Sequence, residues 1–268
     1  MQRLTQYARP VEVHADALAL GEALAGYITG LIQAANREGR PFILGCPAGR
    51  SPVTTYQALA EAAARQRLDL SRLIIAMMDE YVTAAGPAFV ACPSDSHYSC
   101  YRFCREQLQA VLNRRLPIER RIPDANLWMP DAKNPADYDR RLESVGGVDL
   151  FIVASGASDG HVAFNPPDTP LASRTRVVKL AETTRRDNLA TFPEFKDIRE
   201  VPAHGVTVGL GTICELSREV VLILHGPDKR AAARRLLSCS GFDPSWPASC
   251  VFAVKNSRVL LDRAAAGV

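Results

Sequence analysis

An α/β fold built on a mostly parallel sheet is what this chain of 268 residues predicts. Two observations lead there. Short, largely apolar runs at Phe42 to Leu44, Leu73 to Met77, Val148 to Ala154, Val206 to Leu210 and Val220 to Leu224 read as buried strands, and helical stretches separate them. Several runs then end in small, turn-forming residues that deliver polar side chains, which is where an open α/β sheet places its ligands. The expectation is a Rossmann-like three-layer sandwich, with helices on both faces of the sheet and a C-terminal hairpin.

The first helix is expected from Ala15 to about Arg37, where Leu18, Leu20, Leu24, Ile28, Leu31 and Ile32 recur at near-helical spacing and Asn36-Arg37-Glu38-Gly39 stops it. A strand at Phe42 leads into Gly45-Cys46-Pro47-Ala48-Gly49-Arg50-Ser51-Pro52, and Pro52 suits the first turn of a helix through Tyr56, Leu59 and Ala63. The strand Leu73 to Met77 runs out at Asp79-Glu80-Tyr81. Ala84 to Asp95 holds two prolines and a glycine and is expected to be a mobile loop beside Asp79, either a lid or a plain surface connection. The strand ending at Ala154 opens into Ser155-Gly156-Ala157-Ser158-Asp159-Gly160-His161. After Leu224 comes Gly226-Pro227-Asp228-Lys229, with Pro227 placed to start a helix. Cys250 to Val254 and Arg258 to Leu261, around Asn256-Ser257, read as the terminal hairpin. The length suits one domain over residues 1–268.

Hydrophobic residues at 47%, charged residues at 23% and a mean hydropathy of -0.06 describe an ordinary globular chain. No uninterrupted apolar run reaches the roughly 18 residues of a membrane helix. The formal net charge of +3 is small, and basic residues are interleaved with acidic ones. Arg114-Arg115, Arg120-Arg121 and Arg185-Arg186 read as solvated faces, so neither nucleic acid nor membrane is an expected partner. Seven cysteines, at 46, 92, 100, 104, 214, 239 and 250, include no C-x-x-C pair and no histidines at zinc-finger spacing. With no secretory signal at the start of the chain, reduced thiols in a cytoplasm are the expectation. Cys100 and Cys104 share a helix face and read as small core residues. Neither His-x-x-x-His nor a facial carboxylate triad is visible, and no metal is expected.

If the strands ending near Cys46, Met77 and Ala154 are parallel neighbours, their loops meet at one edge of the sheet. Gly49 then lets backbone N–H groups approach an anion while the helix after Pro52 points its positive end there. Lys229 sits in the first turn of a helix, where its charge opposes the dipole; a bound phosphate is a physical reason for that placement, and a solvated surface lysine is the alternative. Of the two carboxylates at a strand end, alternation turns one of Asp79 and Glu80 to the crevice and leaves the other to cap, pair or point away. His161 exchanges protons near neutral pH, and Asp159 is placed to fix its tautomer.

On these residues the chain resembles the glucosamine-6-phosphate deaminase/isomerase family, within the superfamily that also contains 6-phosphogluconolactonase. The matching segments are Leu44-Gly45-x-Pro47-x-Gly49-x-Ser51-Pro52, Met78-Asp79-Glu80-Tyr81-Val82, Ser96-x-Tyr98-Ser99, Asp159-Gly160-His161-x-Ala163-Phe164-Asn165, Leu171-Ala172-Ser173-Arg174-Thr175-Arg176 and a Leu-x-Gly-x-x-Lys ending at Lys229. Their order and spacing carry the resemblance. It implies that Asp79 shuttles a proton between C2 and C1 of an opened sugar, that His161 assists ring opening with Asp159 behind it, and that Lys229 and the loop Ala48-Gly49-Arg50-Ser51 hold a phosphate. It implies no cofactor.

Four positions depart from the family pattern. Pro166 follows Asn165 where the deaminases have the Glu that completes the ring-opening relay. Ala190 stands where the family has a phosphate-binding Arg, and Arg50, in place of a second glycine, is a candidate replacement. Ala157 replaces a glycine of the turn before His161. Val178, with Lys179 beside it, occupies the place of an effector-binding lysine, which argues against control by an acetylated sugar phosphate. The expectation is an amino-sugar-phosphate isomerase/deaminase, formally a hydrolase, with a divergent substrate. The alternatives are a lactone hydrolase in which His161 activates water, and a sugar-phosphate sensor without turnover. The sequence leaves the oligomeric state and the sugar's stereochemistry open.

Overall fold

Residues 2–4 and 10–268 are described by the computed structural model. Twelve strands among them form two sheets. The larger contains β1 (Gln2–Leu4), β2 (Val11–His14), β3 (Phe42–Cys46), β4 (Leu73–Met77), β7 (Leu127–Trp128), β8 (Leu150–Ala154), β11 (Val220–Leu224) and β12 (Ser257–Asp262). The smaller contains β5 (Asp79–Ala85), β6 (Ala88–Ala91), β9 (Arg176–Lys179) and β10 (His204–Thr207). In the larger sheet the order is β1-β2-β12-β11-β8-β3-β4-β7, and every pairing except β1 with β2 is parallel.

The strands separate two apolar layers by alternation. In β3, Phe42, Leu44 and Cys46 face one core and Ile43 the other; in β4, Leu73, Ile75 and Met77 oppose Ile74 and Ala76. The first core is closed by α1 (Ala17–Arg37), α2 (Val53–Gln66) and a helix that passes from α3 (Cys100–Phe103) through a π turn (Cys104–Gln109) into α4 (Ala110–Asn113). The second core takes buried residues from α5 (Pro135–Ser144), α7 (Leu210–Glu215), α8 (Arg230–Leu237) and α9 (Arg263–Ala266). The three-layer α/β reading therefore holds. α1 starts at Asp16, whose side chain accepts from Ala19 N at 2.8 Å, a cap that contributes about 1 kcal/mol. α1 is long and apolar enough to cross a membrane, but its Leu20, Leu24, Ile28 and Ile32 fill the first core.

Three expectations need correction. There is no C-terminal hairpin: residues Pro247–Ala253 form a 3₁₀ helix, and β12 lies parallel between β11 and β2. Both edges of β12 are taken, so Cys250 to Val254 have no ladder to join. Half of Ala84 to Asp95 is strand: β5 runs to Ala85, the chain turns at Gly86-Pro87, and it returns as β6 before leaving the sheet after Ala91. The run at Val206 becomes β10, antiparallel to β5 in the smaller sheet, and α7 has begun by Leu210.

Candidate active site

In the larger sheet the chain steps outward from β3 to β4 and β7 on one side, and from β8 to β11 and β12 on the other. The order reverses between β3 and β8, and a crevice opens at the carboxyl ends of strands that part in this way. The loops after β3, β4, β8 and β11 meet there around a cavity of about 470 Å³. Ala48, Gly49, Arg50, Ser51, Asp79, His161 and Lys229 all line it, and Asp159 stands directly behind His161.

Asp79 and Glu80 divide their work as alternation requires. Glu80 accepts hydrogen bonds from the backbone N–H groups of Tyr81, Cys100 and Tyr101 at 2.8, 2.9 and 2.8 Å, and from the Ser99 hydroxyl at 3.0 Å. It therefore caps α3, satisfying donors that a helix start leaves open. Asp79 turns to the cavity and is only 6% exposed. Burial raises its carboxyl to about 7; a hydrogen bond from Cys100 and the nearby His161 work against that rise, and Glu80 adds to it.

His161 is held from behind. Its Nδ1 lies 2.7 Å from Asp159 Oδ1, which also accepts from the His161 backbone N–H at 3.1 Å. The carboxylate keeps the proton on Nδ1 and leaves Nε2 as the free ring nitrogen. Asp159 Oδ2 accepts from the Thr183 hydroxyl, and Thr184 Oγ1 lies 3.4 Å from Nδ1. Burial alone would raise the Asp159 carboxyl, but the bonds from His161 and Thr183 hold it well below the usual carboxylate range. Where the sequence lacks the family Glu, these two threonines surround the Asp159–His161 pair. Pro166 instead starts a turn whose carbonyl accepts from Thr169. Ala157 lines the cavity without left-handed strain, whereas Ala163 is held at φ 53 by the turn that Asn165 Nδ2 closes onto the carbonyls of Val162 and Val208.

At the other end the loop after β3 and the start of α8 converge. Gly49 takes φ +87, which its missing Cβ permits, and lines the cavity together with Thr191. His225 Nε2 donates to the Ser51 carbonyl at 2.8 Å, tying the loop to the end of β11. Lys229 is the residue preceding α8 and donates to the Ser155 carbonyl at 2.8 Å. Burial lowers its ammonium pKa, Arg50 lowers it further, and the carboxylates of Asp228, Asp187 and Asp159 pull it back up. Arg185 and Arg186 stay out of the site: the first donates to the carbonyls of Ile198 and Val201, the second pairs with Glu182.

The family model described as glucosamine-6-phosphate isomerases/6-phosphogluconolactonase matches residues 15–261. The chain belongs to this family. A relative from Phocaeicola vulgatus, named glucosamine-6-phosphate deaminase, is 31% identical over 256 residues, covering 95% of this chain and 92% of its own. A solved structure of a monomeric glucosamine-6-phosphate deaminase superposes with a TM-score of 0.80 at 25% identity, covering 96% of this chain and 98% of that one. A 6-phosphogluconolactonase from Trypanosoma brucei shares the fold, with a TM-score of 0.66 at 19% identity over 98% of this chain and 99% of that one.

Against this family background, sequence reasoning missed one wall of the cavity. The helix α6 (Glu182–Thr191) brings Thr184, Asp187, Asn188 and Thr191 to the cavity, and Phe192 follows it. Its inward side is polar, so it carries no apolar stripe for periodicity to detect. Asn188 Nδ2 finds no partner among the described residues, which leaves a donor at the cavity wall. His225, directly after the buried strand β11, had a usable signal: a titratable residue at a strand's carboxyl end.

Proposed function

We propose that this chain opens a 2-amino-2-deoxyhexose 6-phosphate and isomerises it to the ketose phosphate with release of ammonia, acting as one domain in the cytoplasm without cofactor or metal. The observation that carries the reading is the pairing, across one cavity, of a buried carboxylate at Asp79 with a histidine at His161 whose Nδ1 is tied to Asp159. Deaminases among its relatives support the substrate class, the family match from 15 to 261 supports one domain, and unpaired thiols suit a reducing compartment.

The phosphate is held between Lys229, Arg50 and the backbone around Gly49, at the N-terminal ends of α2 and α8. The opposite end of the sugar then meets His161 and Asp79. His161 Nε2 takes the proton of the C1 hydroxyl and returns it to the ring oxygen as the C1–O5 bond breaks. Asp79 removes the C2 proton while an ammonium proton passes to O1, giving an enolamine. Asp79 then delivers its proton to C1, leaving an iminium at C2, and water replaces nitrogen there, yielding the ketose and ammonium. Each step uses a group already in place, which is the main contribution of a preorganised site.

NMR of hexose and hexosamine 6-phosphates in D₂O tests this directly. Deuterium at C1 or C2 with the unmodified protein, and none with Asp79→Asn, is the expected result. Lactone hydrolysis without exchange would assign the lactonase reading, and binding without either reaction the sensor.

A further inference from the structure

The thiol of Cys100 lies 3.3 Å from Asp79 Oδ1, inside hydrogen-bonding range for sulfur. Both residues line the cavity and both are buried, at 4% and 6% exposure. Among the described residues this thiol is the only hydrogen-bond partner of the Asp79 side chain. The reason is local. The other donors at the start of α3 are already committed: the backbone N–H groups of Cys100 and Tyr101 and the hydroxyl of Ser99 go to Glu80, and the Arg102 N–H goes to Ser99 Oγ. Glu80 thus fixes the backbone of Cys100, and the fixed backbone aims the sulfur at the neighbouring carboxylate.

We propose that Cys100 is a positioning residue for the base: its thiol holds Oδ1 of Asp79, favours the ionised carboxylate, and leaves Oδ2 to address the C1–C2 edge of the sugar. The thiol stays a donor because burial, together with Asp79 and Glu80, keeps it protonated far above neutral pH. The other titratable groups facing Asp79 are Glu80, His161 and Tyr81. Glu80 is locked by its own donors, which leaves Cys100 as the neighbour that contacts the carboxylate without reacting. The inference rests on Asp79 being the base, although the coupling of the two side chains can be read without any substrate.

The test compares Cys100→Ala and Cys100→Ser by two readouts: the ¹³C NMR titration of the Asp79 carboxyl in the ligand-free protein, and the pH profile of deuterium exchange into substrate. Removing the donor in Cys100→Ala raises the carboxyl midpoint by about half a unit or more and moves the acid limb of kcat with it. The stronger hydroxyl donor of Cys100→Ser brings both back to or below the original values. A purely structural role for Cys100 lowers activity at every pH and leaves the midpoint alone. Midpoints unchanged in both folded variants overturn the proposal. If the midpoints move as expected and no sugar phosphate exchanges, the coupling stands and the deaminase reading is the one that fails.

Discussion

The Cα of Gly156 faces the His161 imidazole so closely that a Cβ there would lie 2.2 Å from Nδ1. The strand β8 ends at Ala154, the chain folds back, and Gly156 N donates to the His161 carbonyl at 2.8 Å, so turn and ring form one unit. Gly156→Ala must push the ring away from Asp159 or displace the turn. A loss of about 10²-fold in kcat/KM is expected with little change in melting temperature, measured by steady-state assay beside thermal unfolding.

Replacing the proposed base, Asp79, separates activity from stability. Asp79→Asn is expected to lose about 10²- to 10⁴-fold in kcat. It should also melt higher above pH 7. Folding raises this carboxyl from 3.8 to about 7, so between those values the folded state binds a proton the unfolded chain has released. Stability therefore falls as pH rises through that window and stays reduced above it. Asparagine carries no such charge. Differential scanning calorimetry at pH 8 should show a gain of roughly 2–4 °C for each kcal/mol recovered; an equal or lower melting temperature would contradict a buried, strained ionisation at Asp79.

With Asp79 as the proposed base, the same raised carboxyl is expected to set the acid limb of the reaction. A base must be ionised to accept the C2 proton, so kcat/KM is expected to fall about tenfold per unit below pH 7. A limb near pH 4 would mean that Asp79 is solvated in the working enzyme.

Arg50 and Asp187 share the anion end with Lys229 and carry opposite charges. Arg50→Ala is expected to raise KM for the phosphorylated sugar by about 10- to 100-fold with kcat nearly retained, and Asp187→Asn to lower KM. An unchanged KM in Arg50→Ala removes Arg50 from phosphate binding.

Much of this site was readable in the residue order because its parts are local. Asp79, Gly49, His161 and Lys229 each follow a short apolar run, and a parallel sheet brings the carboxyl ends of its strands to one edge wherever the intervening helices pack. What sequence could not give depended on partners distant along the chain. β12 became a central parallel strand, not half of a hairpin, because β2 and β11 offered both edges. Glu80 became the cap and Asp79 the cavity carboxylate because α3 docks its donors on one of the two. The polar wall of α6 has no periodic signal at all, and it was the closing of that helix over the crevice that brought Asp187 and Asn188 to the cavity. Local pattern thus determined which polar side chains reach the sheet's carboxyl edge, and the tertiary packing decided which oxygen, nitrogen and sulfur atoms meet, since those contacts are set by elements tens of residues apart.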